Sequence, residues 1–113
     1  MGITVNFFEQ IVSNFIEEIR PQDVEFRKII DFEFTSKNNV FELYCVRPAF
    51  FDPSLVIRLP YAKFKYVKTQ NIWKLYWKLA NGKWTSYDKL PESDDLLVIL
   101  NEIKEDPLGC FMK

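Results

Sequence analysis

Apolar and polar residues alternate through residues 62–87, and this alternation predicts a three-stranded antiparallel meander. Its clearest turn signal is Asn81-Gly82, because a two-residue type I′ turn needs positive φ angles at both central positions. Gln70-Asn71 is a weaker signal of the same kind. Two-residue loops at both places predict a register with the pairs Lys68–Trp73, Tyr66–Leu75, Phe64–Trp77, Leu79–Trp84 and Tyr76–Tyr87.

This register divides the meander into an apolar face and a basic face, because successive side chains on a strand point to opposite sides. The predicted inner face consists of Ala62, Phe64, Tyr66, Trp73, Leu75, Trp77, Leu79 and Trp84. The predicted outer face consists of Lys63, Lys65, Lys74, Tyr76, Lys78, Lys83, Thr85 and Tyr87. We expect the first set to form core and the second to face solvent or a partner.

The chain before the meander predicts one amphipathic helix and one hairpin. Apolar residues recur at helical spacing over residues 8–19, and Pro21 then stops the helix. The pattern changes to alternation from about Phe26, and Asn38-Asn39 predicts another two-residue hairpin loop. That hairpin has the predicted pairs Phe32–Cys45 and Phe34–Leu43 and an apolar face of Phe32, Phe34, Phe41, Leu43 and Cys45.

Two segments complete the chain: an irregular stretch over residues 48–60 and a second helix after the meander. We expect the apolar side chains of the irregular stretch, Phe50 and Phe51 among them, to fold over the core. Ser93 is the predicted N-cap of the second helix, and Asp106-Pro107 ends it. The predicted buried side of this helix consists of Leu96, Leu97, Leu100 and Ile103.

Together these elements predict a single α+β domain over residues 1–113. An N-terminal helix is followed by a five-stranded antiparallel sheet, made of a hairpin and the meander, and by a C-terminal helix. The sheet has one aromatic face, so both helices are expected to cover that face and to leave the other face open. A chain of 113 residues is long enough to bury a core of this kind.

The amino-acid composition excludes several classes of catalytic and metal-binding site. The chain has no histidine, which removes histidine-dependent acid–base and nucleophilic catalysis and the usual zinc ligand sets. Cys45 and Cys110 lack metal-ligand spacing, and Cys45 is expected to be a buried thiol. We therefore predict a non-enzymatic protein with no catalytic residue, metal or cofactor. The sequence shows neither an apolar run of membrane-spanning length nor a signal peptide, so we expect a cytoplasmic protein that makes no membrane contact.

Charge is unevenly distributed along the chain. Residues 62–89 contain seven lysines and one acidic residue, a balance of +6, and the whole chain has a net charge of −1. The remainder of the chain therefore carries −7. Polarisation of this kind bears on partners rather than on the fold.

The meander also carries a family resemblance. The matching residues are Lys63, Tyr66-Val67-Lys68-Thr69-Gln70, Trp73, Leu75-Tyr76-Trp77, Lys83-Trp84 and Tyr87. This run resembles the hallmark of DUF3024, a family of small bacterial domains of unknown function. The resemblance implies a stand-alone domain of the bacterial cytoplasm and brings no known activity, cofactor or catalytic residue. The family often has an acidic residue in the last hairpin turn and a histidine after the Lys-Trp pair, where this chain has Asn81-Gly82 and Thr85.

The predicted outer face of the meander is the first candidate site. Its lysines and tyrosines are of the kind that neutralise phosphates and stack on bases, which predicts binding of nucleic acid or another polyanion. The candidate residues are Lys63, Lys65, Lys74, Tyr76, Lys78, Lys83 and Tyr87. The alternative is an ordinary solvated sheet face on which Glu33 and Glu42 neutralise neighbouring lysines by cross-strand pairing.

Two further hypotheses come from other residues. Phe50 and Phe51 in the irregular stretch and Phe111 in the tail are candidate anchors of a homodimer, and the alternative is that they close the ends of the core. A metal-dependent phosphodiesterase needs carboxylates and a lysine that converge on a cation. Glu33, Glu42 or Asp52 with Lys63 are the weak candidates for that site.

Overall fold

The computed structural model describes the backbone of residues 3–112 and the side chains of residues 7–112. The described residues form two α-helices, one 3₁₀ turn and one antiparallel sheet of six strands. Their bounds are α1 Ile3–Ile19, the 3₁₀ turn Phe26–Lys28, β1 Asp31–Lys37, β2 Val40–Pro48, β3 Val56–Val67, β4 Ile72–Lys78, β5 Trp84–Ser86, β6 Glu92–Ser93 and α2 Leu96–Glu105. The strand order is β1-β2-β3-β4-β5, and β6 pairs with β4 beside β5. The α+β prediction is confirmed, with one short strand more than predicted.

Both helices pack on the same face of the sheet. The apolar stripe of α1 supplies Val12, Phe15 and Ile16 to the core, as its helical spacing predicts. The shared core also contains Ile99, Leu100 and Ile103 of α2 and Phe41, Leu43, Phe64, Trp73 and Leu75 of the sheet. The opposite face of the sheet has no helix among the described residues, so it remains open. No helix in the described part of the chain is both long enough and apolar enough to span a membrane.

The first hairpin has the predicted register. Asn38 and Asn39 have φ angles of 53° and 65°, as a type I′ loop requires. Phe32 lies opposite Cys45 and Phe34 lies opposite Leu43. The strand before this turn begins at Asp31, however, and the predicted strand start at Phe26 is wrong. Residues 26–28 form a 3₁₀ turn instead, and about half of the Phe26 side chain is exposed.

The second strand pair extends much further than predicted. Residues 56–60, expected to be irregular, are the first part of β3 and pair with β2. A bulge at Tyr61 separates the Leu43–Ala62 pair from the Tyr44–Pro60 pair and turns both Tyr61 and Ala62 into the core. Beyond the last pairs of β1 and β4, the β2–β3 hairpin continues as a two-stranded ribbon. We call residues 47–57 of this ribbon the arm.

The two loops of the meander both differ from the predicted two-residue loops. The β3–β4 loop contains residues 68–71, so Phe64 lies opposite Leu75 rather than Trp77. This shift of two residues changes the pairs but keeps each side chain on its predicted face. The β4–β5 loop contains residues 80–82, and Gly82 has a φ angle of 87°. This shift of one residue moves the side chains of β5 to the opposite face.

The C-terminal helix begins later than predicted. Asp95, not Ser93, is its N-cap, and the Asp95 carboxylate accepts a hydrogen bond of 2.9 Å from the Leu97 N–H. Leu97, which was predicted to be buried, is exposed, and Ile99 lies on the buried side instead. Asp106 ends the helix in the left-handed conformation, and its carboxylate accepts hydrogen bonds from the backbone N–H groups of Phe111 and Met112. The tail is thereby folded back onto the core.

Candidate functional site

The open face of the sheet brings together most of the basic side chains of the meander. In the β3–β4 register, Lys63 lies opposite Tyr76 and Lys65 lies opposite Lys74. Lys78 follows Tyr76 on the same face of β4, two residues further along the strand. Five of the seven predicted binding residues therefore share one surface, which we call the basic face: Lys63, Lys65, Lys74, Tyr76 and Lys78.

Tyr87 and Lys83 do not belong to this surface. Tyr87 is 1% exposed, so its predicted outward placement is wrong. Its hydroxyl donates a hydrogen bond of 2.8 Å to the Glu102 carboxylate, which is also 3.0 Å from the Lys89 ammonium. Lys83 lies opposite Leu79 at the end of the hairpin and is exposed away from the other lysines. Both corrections have the same cause, the shift of one residue in the β4–β5 loop.

The same shift places Trp84 on the basic face. Trp84 lies opposite Lys78, and its side chain is partly exposed. The Lys63 ammonium is 5.2 Å from the centre of the Trp84 ring and 5.1 Å from the centre of the Tyr76 ring, while the Lys78 ammonium is 5.6 Å from Trp84. These distances are those of cation–π contacts. The signal that predicts this arrangement is Gly82 read as the left-handed third residue of a three-residue loop.

The carboxylates that the structure describes on the neighbouring strands form no ion pair with the lysines of the basic face, although Glu92 of β6 lies opposite Lys74 in the register. Glu33 forms an ion pair of 2.8 Å with Arg58, whose guanidinium lies 4.4 Å from the centre of the Tyr44 ring. Glu42 lies opposite Lys63 in the register but accepts a hydrogen bond of 3.0 Å from the Tyr44 hydroxyl. None of the four lysines of the basic face makes an ion pair with a residue that the structure describes. The positive charge is therefore concentrated on β3 and β4.

Comparison with known proteins decides the family. The model of the domain of unknown function DUF3024 matches residues 3–113, which is nearly the whole chain. The chain belongs to the DUF3024 family. Neither the curated proteins nor the solved structures contain a significant match to it. Membership of this family therefore assigns no activity to the DUF3024 domain, because the function of the family is unknown.

The three candidate dimer anchors of the DUF3024 domain fall into two groups. Phe50 and Phe51 lie at the tip of the arm and are 101% and 82% exposed, so the prediction that they fold over the core is wrong. The Asp52 carboxylate, which accepts hydrogen bonds from the Ser54 hydroxyl and N–H, holds this tip in a turn and has a lowered pKa for that reason. Phe111 is buried against Tyr87, with 5.0 Å between the ring centres, and is no exposed anchor.

Of the residues proposed for a metal site in this DUF3024 domain, Asp52 lies apart from the others. Asp52 is at the tip of the arm, whereas Glu33 and Glu42 lie on the sheet and are engaged by Arg58 and Tyr44. Within residues 3–112, no group of three or more acidic or cysteine side chains is arranged to hold a metal ion. Cys45 is buried, as predicted, and burial raises the pKa of its thiol.

Proposed function

We propose that the basic face of the DUF3024 domain binds single-stranded nucleic acid and that the domain is a non-catalytic binding module of the cytoplasm. The observation that supports this proposal best is that four lysines, none of which is ion-paired with a described residue, share one open sheet face with two partly exposed aromatic rings. Open sheets with aromatic and basic side chains are a recurrent platform for single strands.

The lysines supply the contacts to phosphate. Lys63, Lys65, Lys74 and Lys78 lie on two adjacent strands, about 4.8 Å apart in the hydrogen-bonding direction. Each lysine that meets a phosphate releases condensed counterions, so affinity depends steeply on salt. The acidic remainder of the molecule repels the phosphates of a nucleic acid, which favours binding to the basic face over binding to the helical side.

The aromatic rings supply the contacts to bases. In the unbound domain the Lys63 and Lys78 ammoniums lie near the Trp84 ring. An exposed cation–π contact is worth about 0.5 to 1 kcal/mol. Stacking of a base on an aromatic side chain is worth about 1 to 3 kcal/mol. A base can therefore displace the ammoniums from the ring, and the displaced lysines then reach the flanking phosphates.

Fluorescence anisotropy of labelled oligonucleotides tests the proposal. We expect single strands to bind more tightly than duplexes, because only unpaired bases expose their faces for stacking. With four phosphate contacts, affinity for a single strand falls about 50-fold between about 50 mM and about 200 mM salt. Absence of binding to either form at low salt contradicts the proposal.

A homodimer formed through the arm is the second candidate function, and the exposure of Phe50 and Phe51 favours it. Two adjacent, largely exposed aromatic side chains at the tip of a ribbon are the type of residue that anchors protein interfaces. Light scattering across the micromolar range tests this candidate. A mass that rises with concentration in the wild type and in Val24→Ser, another exposed apolar position, but not in Phe50→Ser with Phe51→Ser, supports the dimer. A constant monomer mass contradicts it.

A further inference from the structure

Two adjacent cavities lie at the base of the arm, on the helix-covered face of the sheet. The larger has a volume of about 280 Å³, with apolar walls formed by Ile30, Leu59, Phe111 and Met112. The smaller has a volume of about 160 Å³ and extends between the sheet and the helices. Tyr61 and Met112 line both cavities. A cavity of about 150 Å³ holds benzene, so the larger cavity has room for an apolar body that carries one polar group.

Tyr61 presents an unused hydrogen-bonding group to this space. The bulge in β3 turns its side chain into the core, and only 7% of it is exposed. Its hydroxyl makes no hydrogen bond with any residue that the structure describes. No fully buried side-chain oxygen or nitrogen in the described part of the chain lacks a partner, so this hydroxyl is not enclosed by protein but reaches the open space of the cavities. Burial raises the pKa of Tyr61, so the group is a neutral O–H donor at physiological pH.

Arg47 contributes a positive charge to the same cavity. It alternates with Cys45 along β2 and therefore lies on the same face of the sheet, and its side chain lines the larger cavity. Cys45 lines the same cavity, and the Arg47 charge lowers the pKa of its thiol, which opposes part of the effect of burial. Arg47 makes no ion pair with a described residue, whereas Arg58, on the opposite face, is paired with Glu33.

We propose that the larger cavity binds a small organic monocarboxylate whose apolar body fills the cavity and whose carboxylate accepts hydrogen bonds from Arg47 and Tyr61. An apolar cavity with a few polar groups that point to one place is the general form of a small-molecule site. The Asp106 carboxylate, which lines the smaller cavity, accepts hydrogen bonds from the Phe111 and Met112 N–H groups. Arg47 and the Tyr61 hydroxyl are therefore the donors that select for an anionic acceptor in the larger cavity. This site is separate from the basic face, which lies on the other side of the sheet.

Isothermal titration calorimetry with matched acids and alcohols tests the proposal on the full chain. The ligands are octanoate and 1-octanol, and 3-phenylpropionate and 3-phenylpropanol. We expect at least one acid to bind about tenfold or more tightly than its alcohol, since hydrogen bonds to a charged group are worth more than neutral ones. Preference for octanoate identifies an aliphatic body and preference for 3-phenylpropionate an aromatic one; either result supports the site.

Variants distinguish this site from general binding of anions. Arg47→Gln should remove the preference for acid over alcohol, and Tyr61→Phe should weaken acid binding about fivefold. Arg58→Gln is the matched control on the opposite face and should bind the acids as the wild type does. Circular dichroism checks folding, and Arg47, which is exposed, keeps the test valid if Tyr61→Phe fails to fold. Equal affinity for acids and alcohols, no binding of either acid, or an equal loss in Arg58→Gln overturns the proposal.

Discussion

Tyr87 connects three parts of the molecule through one residue. Its backbone N–H donates to the Leu75 carbonyl at 3.0 Å, its ring packs on Phe111, and its hydroxyl reaches Glu102 of α2. Burial, and next the hydrogen bond to Glu102, raise the pKa of Tyr87, so the hydroxyl remains a donor throughout the physiological pH range. The residue is therefore part of the core that attaches α2 and the tail to the sheet.

Tyr87→Phe should lower the free energy of unfolding by about 1 kcal/mol, because one hydrogen bond is lost while Glu102 keeps its ion pair with Lys89. Urea unfolding measures this change. Affinity for a single strand should stay the same, because the ring is buried. A loss of binding with unchanged stability would return Tyr87 to the interface that the sequence predicts.

Trp84→Ala tests the residue that sequence reasoning placed on the wrong face. We expect affinity for a single-stranded oligonucleotide to fall by about 1 to 3 kcal/mol, the value of one stacked base. The slope of affinity against salt should not change, because no lysine is removed. Tyr44→Ala is the matched control, since Tyr44 is an aromatic residue of the same sheet face beside Glu42 and Arg58. An equal loss in both variants would contradict the assignment of Trp84.

At the scale of elements, the three hairpins show how far turn signals determine a register. Asn38-Asn39 predicts its hairpin correctly, because two adjacent asparagines with positive φ suit a type I′ turn. Asn81-Gly82 suits two loops of different length, and the three-residue loop is the one that places Tyr87 against α2 and the tail. Core membership on β3 and β4 was predictable, because the shift by two residues preserves the faces. The identity of the site residues on β5 was not predictable, because a shift of one residue exchanges the two faces of that strand.

Gly82→Ala should lower the free energy of unfolding by about 1 to 2 kcal/mol, the cost of a left-handed conformation for a residue with a Cβ. No atom lies within 4 Å of the added Cβ, so the effect is one of the backbone alone. Gly82→Asn should cost less, because asparagine tolerates this conformation. Urea unfolding of both variants measures the difference. If both variants cost the same, a cause other than the φ angle is responsible.

Arg20 and Asp31 join the end of α1 to the start of β1 through two hydrogen bonds of 2.8 and 3.0 Å. The hydrogen bond from Arg20 lowers the pKa of Asp31 below the usual value of an aspartate. The resulting stabilisation is complete above the unfolded-state pKa and is lost as the pH falls through the lower, folded-state value. Asp31→Asn should therefore destabilise the domain at neutral pH and differ progressively less from the wild type below about pH 4. Unfolding by urea as a function of pH tests this expectation.

Glu25→Gln removes an exposed ion pair and is the control for Asp31→Asn, with little effect on stability expected. A difference between Asp31→Asn and the wild type that does not depend on pH would contradict it.

At the scale of the whole molecule, basic side chains and two partly exposed aromatic rings lie together on one face of the sheet. The lysines of β3 and β4 and the rings of Tyr76 and Trp84 share the open face, while both helices cover the opposite face. Composition predicts the basic segment but not the ion pairs, because Glu33 is paired with Arg58 only through the extension of β3. The arm was missed for a similar reason: Pro48 and Pro60 indicate a loop, yet Pro48 lies in the ribbon and Pro60 lies in β3 beside the bulge.

Charge reversal on the basic face tests the central claim most directly. Lys74→Glu with Lys78→Glu is compared with Lys28→Glu with Lys104→Glu, which changes the net charge equally on other surfaces. The measurement is the anisotropy of a labelled single strand at low salt, after circular dichroism has shown that both proteins are folded. We predict that the first variant shows no binding at concentrations that saturate the wild type and that the second binds nearly as the wild type does. Equal losses in the two variants, or undiminished binding by the first, would contradict the account.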